Sequence, residues 1–133
     1  MTTPRGIKNN NPGNIRKSDI KWQGKVVGTD PAFESFASPE YGIRAMGKIL
    51  RTYQRDGFDT VREMIDRWAP PVENDTDSYV NHVASLLGLA ANDKVDLDNK
   101  TQLKMLLQAI VRHENGQQPY AESIFDRAIE LMG

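Results

Sequence analysis

Glu114 is the residue whose position most suggests chemistry. It follows Ile110 by four positions, Leu107 by seven and Leu103 by eleven, so it continues the apolar stripe of a helix expected from about Lys100 to His113. A carboxyl group on a buried face is costly to ionise. The negative end of the helix dipole also disfavours a further anion at the C-terminus. Both effects favour the protonated carboxyl, which a general acid for glycoside cleavage requires. Asn115-Gly116 then ends the helix, leaving the carboxyl at the edge of the core where a cleft can form. The competing role for Glu114 is structural: a helix-end glutamate in solvent, or one paired with Arg112 or a nearby lysine.

A glycosidase using water needs a second carboxylate, and Asp30, Glu34 and Glu73 are the candidates. Trp22 lies in a polar stretch and is a candidate for stacking on a sugar ring, although such a residue can equally anchor a hairpin. Asn10, Asn11 and Asn14 could hydrogen-bond N-acetyl groups, or simply form turns. Trp68 continues a helical stripe and is expected in the core. His82 and His113 fall on different helices with no evident third ligand, and no His-Glu-x-x-His pattern occurs. They are expected as satisfied or solvated histidines, so no metal and no cofactor is expected. Without cysteine there is no disulfide, thiol nucleophile or Cys-based zinc site. No Walker loop, Gly-x-Ser-x-Gly elbow or dinucleotide fingerprint is found.

The elements that must position these residues change character along the chain. Residues 4–37 look irregular and β-prone. Asn9-Asn10-Asn11-Pro12-Gly13-Asn14 is turn chemistry, short apolar stretches follow near Ile20 to Trp22 and Lys25 to Val27, and Phe33 to Phe36 alternates like a half-buried strand. From Ser38-Pro39, an N-cap followed by proline, the period becomes helical. Met46, Ile49, Leu50 and Tyr53 mark one helix, and Thr60-Val61-Arg62-Glu63 is a capping box before a second. Ala69-Pro70-Pro71 stops that helix. A third, with Thr76 as its cap, carries Val80, Val83, Ala84 and Leu87 and closes at Gly88. A last helix carries Ile124, Ala128 and Leu131. The expected class is α+β, mostly α: one domain over residues 1–133, with a small β-rich N-terminal lobe before a helical lobe. With 38% hydrophobic and 26% charged residues, and 17 Lys plus Arg against 18 Asp plus Glu, nothing biases it toward nucleic acid or a membrane surface.

The segment Leu107 to Gly116 resembles the helix bearing the catalytic glutamate in bacterial glucosaminidases and lytic transglycosylases, with Asn115 where those families have serine. Asn10-Asn11-Pro12-Gly13-Asn14-Ile15 and Trp22-Gln23-Gly24 are similar to elements that follow that helix in glucosaminidases. Arg67-Trp68-Ala69 through Tyr79, including Asn74, resembles the loop whose tyrosine lies near the cleaved bond, although Thr76-Asp77-Ser78-Tyr79 is one residue shorter than the family spacing. The order is rotated, which implies a circularly permuted lysozyme-like fold; such permutation is tolerated where chain ends meet at the surface. The whole chain also resembles small virion-associated or endolysin-like phage proteins carrying Arg-Gly-Ile-x-Asn-Asn-Asn-Pro-Gly-Asn-Ile, Arg-Trp-Ala-Pro-Pro-x-Glu-Asn and His-Glu-Asn-Gly.

These resemblances imply a peptidoglycan glycosidase, either a muramidase or a lytic transglycosylase. Glu114 and Tyr79 would be catalytic, and Asn10, Asn11, Asn14, Trp22, Glu34 and Asn74 would bind substrate. The expected partner is the glycan strand, with no nucleic acid, no membrane insertion and a monomeric state. No secretory signal is visible at the N-terminus, so the expectation is synthesis in the host cytoplasm and action on the cell wall after holin-type release or from a virion. The alternative is a non-catalytic virion or wall-binding module of the same fold. A metal-dependent wall peptidase ranks third.

Overall fold

The computed structural model describes residues 3–72 and 74–133; Glu73, one of the three candidate second carboxylates, lies outside them. The described residues form six helices and one two-stranded antiparallel sheet, an α+β fold that is mostly α. The N-terminal lobe holds α1 (Arg5–Lys8), β1 (Lys25–Val26) and β2 (Ser35–Phe36), with Lys25 opposite Phe36 and Val26 opposite Ser35. The helical lobe holds α2 (Pro39–Arg55), α3 (Val61–Trp68), α4 (Thr76–Leu87), α5 (Lys100–Asn115) and α6 (Glu122–Leu131).

The helical stripes become the core. Met46 and Leu50 of α2, Val61, Met64 and Ile65 of α3, Val80 and Val83 of α4, and Leu103, Leu106, Leu107 and Ile110 of α5 form one buried cluster. α5 packs against α4, α6, α2 and α1, which makes it central. The capping box at Thr60 is present, with the Thr60 hydroxyl accepting from the Glu63 backbone N–H and the Glu63 carboxylate accepting in return.

Several expectations need correction. Residues 5–8 form a helix, not irregular chain, and no strand forms near Ile20. Glu34 and Ser35 are buried along with Phe36, because the lobe supplies polar partners inside it. Asp75, not Thr76, caps α4, its carboxylate accepting from the Ser78 backbone N–H. Ser38 takes the cap position of α2 without a side-chain cap bond. α6 buries Phe125, Ala128 and Ile129 with Met132, a stripe one position on from the expected one, while Ile124 packs only partly against the core. α5 continues past His113 and carries Glu114 in its last turn.

Candidate functional site

The asparagine loop 9–14 is what brings the two lobes together at α5. Asn10 and Asn14 adopt left-handed backbone angles, φ 53° and 54°, which asparagine tolerates better than most residues. Asn11 is completely buried and acts as an internal strut. Its side-chain amide donates to the carbonyls of Ile15 and Glu34, and its oxygen accepts from the Ile15 N–H. The Asn10 amide donates to the Phe36 carbonyl. Both side-chain amides thus donate to backbone carbonyls of the loop and of the strand beside it. From α5, the Asn115 amide donates to the Pro12 carbonyl at 2.8 Å, pinning the loop to the helix end. Gly6 lets α1 close over this junction: a Cβ there would meet Asn115 Oδ1 at 2.7 Å and the Asn11 carbonyl oxygen at 2.8 Å.

The loop so held aims Asn14 at Glu114. The Asn14 amide donates to Glu114 Oε1 at 2.8 Å, and the Tyr79 hydroxyl of α4 donates to Oε2 at 2.7 Å. Both partners are neutral. Burial first, then the negative charge of Glu114, push the Tyr79 hydroxyl well above the ordinary tyrosine range, so it remains a protonated donor. The Trp68 indole N–H faces the same hydroxyl as a donor. Tyr79 in turn stacks on His113, with ring centroids 3.7 Å apart, and His113 Nδ1 lies 2.9 Å from His82 Nδ1. The two histidines are therefore neighbours on packed helices. No third metal-ligating side chain joins them among the described residues. Arg112 is exposed and forms no ion pair with Glu114 among the described residues.

Glu114 lines a cleft of about 510 Å³ between the lobes. Asn14, Arg16 and Phe33 wall it on the N-terminal side, Ile49 and Tyr53 of α2 on another, and Trp68, Pro70, Val72 and Asn74 along the α3–α4 connection. Trp68 therefore faces the cleft as well as packing on the core, where the sequence pattern had placed it in the core alone. Ile49 and Tyr53 were concealed for a related reason: they sit at the edge of the α2 stripe, where an apolar residue serves core and cleft wall alike. Phe33 carries a weak signal, as both Arg5 and Arg16 stack their guanidinium groups over its ring.

Trp22 and Glu34 do not reach this cleft; they line a separate pocket. Glu34 is buried, accepting from Lys25 Nζ at 2.9 Å and from the Ser18 N–H. Asp30 is held by Arg5, whose Nη2 lies at 2.6 Å, and also accepts from Asn9 and from the Ala32 and Phe33 N–H groups. The Arg5 guanidinium, aided by those donors, holds the Asp30 carboxyl well below the usual carboxylate range. Among the described residues, Glu114 is the one carboxylate lining the cleft.

Fold and site together define a small, mostly helical protein with the Glu114 carboxyl set in an aromatic-walled cleft. The chain is 38% identical over 131 residues to Protein P5 of Pseudoalteromonas phage PM2, an alignment covering 95% of this chain and 80% of that protein. It belongs to the same family of phage proteins. No family model matches it.

Proposed function

We propose that the protein is a phage peptidoglycan glycosidase with Glu114 as general acid and Tyr79 as the residue that holds it. The observation that carries this reading is the arrangement at the end of α5: one carboxyl in an interlobe cleft, gripped by two neutral hydrogen-bond donors. The two donors fix the orientation of the carboxyl in the cleft, as a group that must meet a glycosidic oxygen at hydrogen-bond distance requires. The Trp68 ring and the Asn74 side chain on the cleft wall suit sugar rings bearing N-acetyl groups. A circularly permuted lysozyme-like arrangement accounts for the asparagine and tryptophan motifs preceding the glutamate helix.

With no second described carboxylate on the cleft, the reading favours a one-carboxylate reaction. Glu114 would give its proton to the glycosidic oxygen beside N-acetylmuramic acid as the C1–O bond breaks; the sugar's own hydroxyl would then bond to C1 and return a proton to the Glu114 carboxylate, as in a lytic transglycosylase. The protein would act on the host wall at entry or at lysis, reaching it through holin-type release or as part of a virion. The test is turbidity loss of purified cell walls with and without chelator, followed by mass spectrometry of the products. Chelator-resistant clearing that yields anhydro-muramic ends supports the proposal. Wall binding without clearing by the wild type favours a non-catalytic binding module, and chelator-sensitive clearing a metal-dependent peptidase. N-acetylglucosamine at every new terminus would overturn the choice of bond.

A further inference from the structure

The ribbon that walls the cleft has a second face. Arg16 and Phe33 pair as an isolated antiparallel bridge, and both line the Glu114 cleft. Their successors Lys17 and Glu34 line a different pocket, of about 440 Å³, as the side-chain alternation of extended chain requires. The two pockets therefore stand back to back across one ribbon, and a glycan strand lying in the cleft would not fill the second.

This second pocket presents donors. Its floor is internally neutral: Lys25 Nζ is bonded to Glu34 and to the carbonyls of Ser18 and Ile20. Lys17 and Lys21 are exposed and have no ion-pair partner among the described residues. The Trp22 indole N–H is buried without an acceptor, a costly omission unless something supplies one. Asp19, the nearest acid in sequence, is not among the lining residues. The two ammonium groups call for an anion with several acceptor oxygens, and the indole N–H lies buried in the wall of the same pocket. Beside them stand Val26 and Val27, 43% and 102% exposed, an apolar rim that a phosphate polymer would leave uncovered.

We infer that this face binds the carboxylate-bearing peptide stems of the wall polymer, whose carboxyl groups alternate with methyl side chains. The ligand's source rests on the wall-glycosidase reading above; the site's chemistry, anion plus small apolar group, does not. Stem binding on the far side of the ribbon would hold the enzyme on cross-linked wall while the cleft works on a strand.

The test is co-sedimentation of the full chain, carrying Glu114→Gln to prevent digestion, with intact sacculi and with glycan stripped of its stems by an amidase. Lys17→Glu with Lys21→Glu, and separately Trp22→Phe, are compared with the parent, and melting temperature is measured as a folding control. The double reversal is expected to weaken binding to intact sacculi by roughly tenfold, to abolish its salt sensitivity, and to leave binding to stripped glycan unchanged. On the wild-type background it should leave hydrolysis of soluble glycan unchanged. Equal binding of parent and variants to intact sacculi overturns the stem site while leaving the glycosidase reading standing. An equal loss on stripped glycan also overturns it, because the lysines would then be holding sugar. Failure of the parent to bind either polymer overturns the stem site; cleavage by the wild type then decides the glycosidase reading separately.

Discussion

Replacing Glu114 with glutamine separates a chemical role from a structural one, because the two side chains have the same shape. The carboxyl accepts one hydrogen bond on each oxygen, from Asn14 and from Tyr79. A carboxamide can accept at only one of those places and must turn its NH2 toward the other donor. Facing Asn14 it would meet another NH2. Facing Tyr79 it could donate to the hydroxyl oxygen, but the hydroxyl proton would then lose its acceptor. Either way about one hydrogen bond is lost, a cost of about 0.5–1.5 kcal/mol. For a domain of this size that lowers the melting temperature by about 2–7 °C, well short of unfolding. Activity should fall far more, by roughly 100- to 10,000-fold, because the amide has no proton to give to the leaving oxygen. Wall clearing and thermal melting measured on the same preparation provide the comparison. A variant that loses a few degrees yet clears walls within a few-fold of wild type would refute the assignment of Glu114 as the acid.

Tyr79→Phe removes one of the two donors while keeping the stack on His113. It should cut wall-degrading activity by roughly tenfold and stability by no more than about 1.5 kcal/mol, read from turbidity loss and urea denaturation. Asn11→Ala leaves the Ile15 N–H and two carbonyls without their buried partner, and should cost about 2–4 kcal/mol in the same denaturation experiment, with activity falling as the Asn14 loop loosens. Acid should destabilise the fold in two steps. Burial and the neighbouring His82 lower the His113 pKa, so its contribution is complete above the unfolded value near 6.5 and is lost as pH falls through the lower folded value. Asp30, depressed by Arg5, contributes above the ordinary carboxylate range and loses that contribution only at still lower pH. Melting temperatures from pH 7 to 3 should therefore decline twice, and His113→Phe should remove the first decline and spare the second.

The helical half of the fold is legible in the chain because its signals are local. The Met46–Leu50 and Leu103–Ile110 stripes need only the helix period, and the Thr60–Glu63 box and Gly88 need only neighbours within a turn. Glu114 stood out for the same reason, at the end of one such stripe. The N-terminal lobe was far less legible, since its strands are two residues long and are held by partners distant in sequence. Asn10, Asn11 and Asn14 are chemically identical and nearly adjacent, yet only tertiary contacts across 100 residues turn Asn14 to Glu114 while sending the other two into the backbone. The same holds for the carboxylates. Glu34 and Asp30 were equal candidates beside Glu114 until folding placed a lysine and an arginine against them. Residue type states what a side chain can do, and local spacing states which face it occupies. Which of several equivalent groups meets the cleft is decided by long-range packing, which no short window of sequence contains.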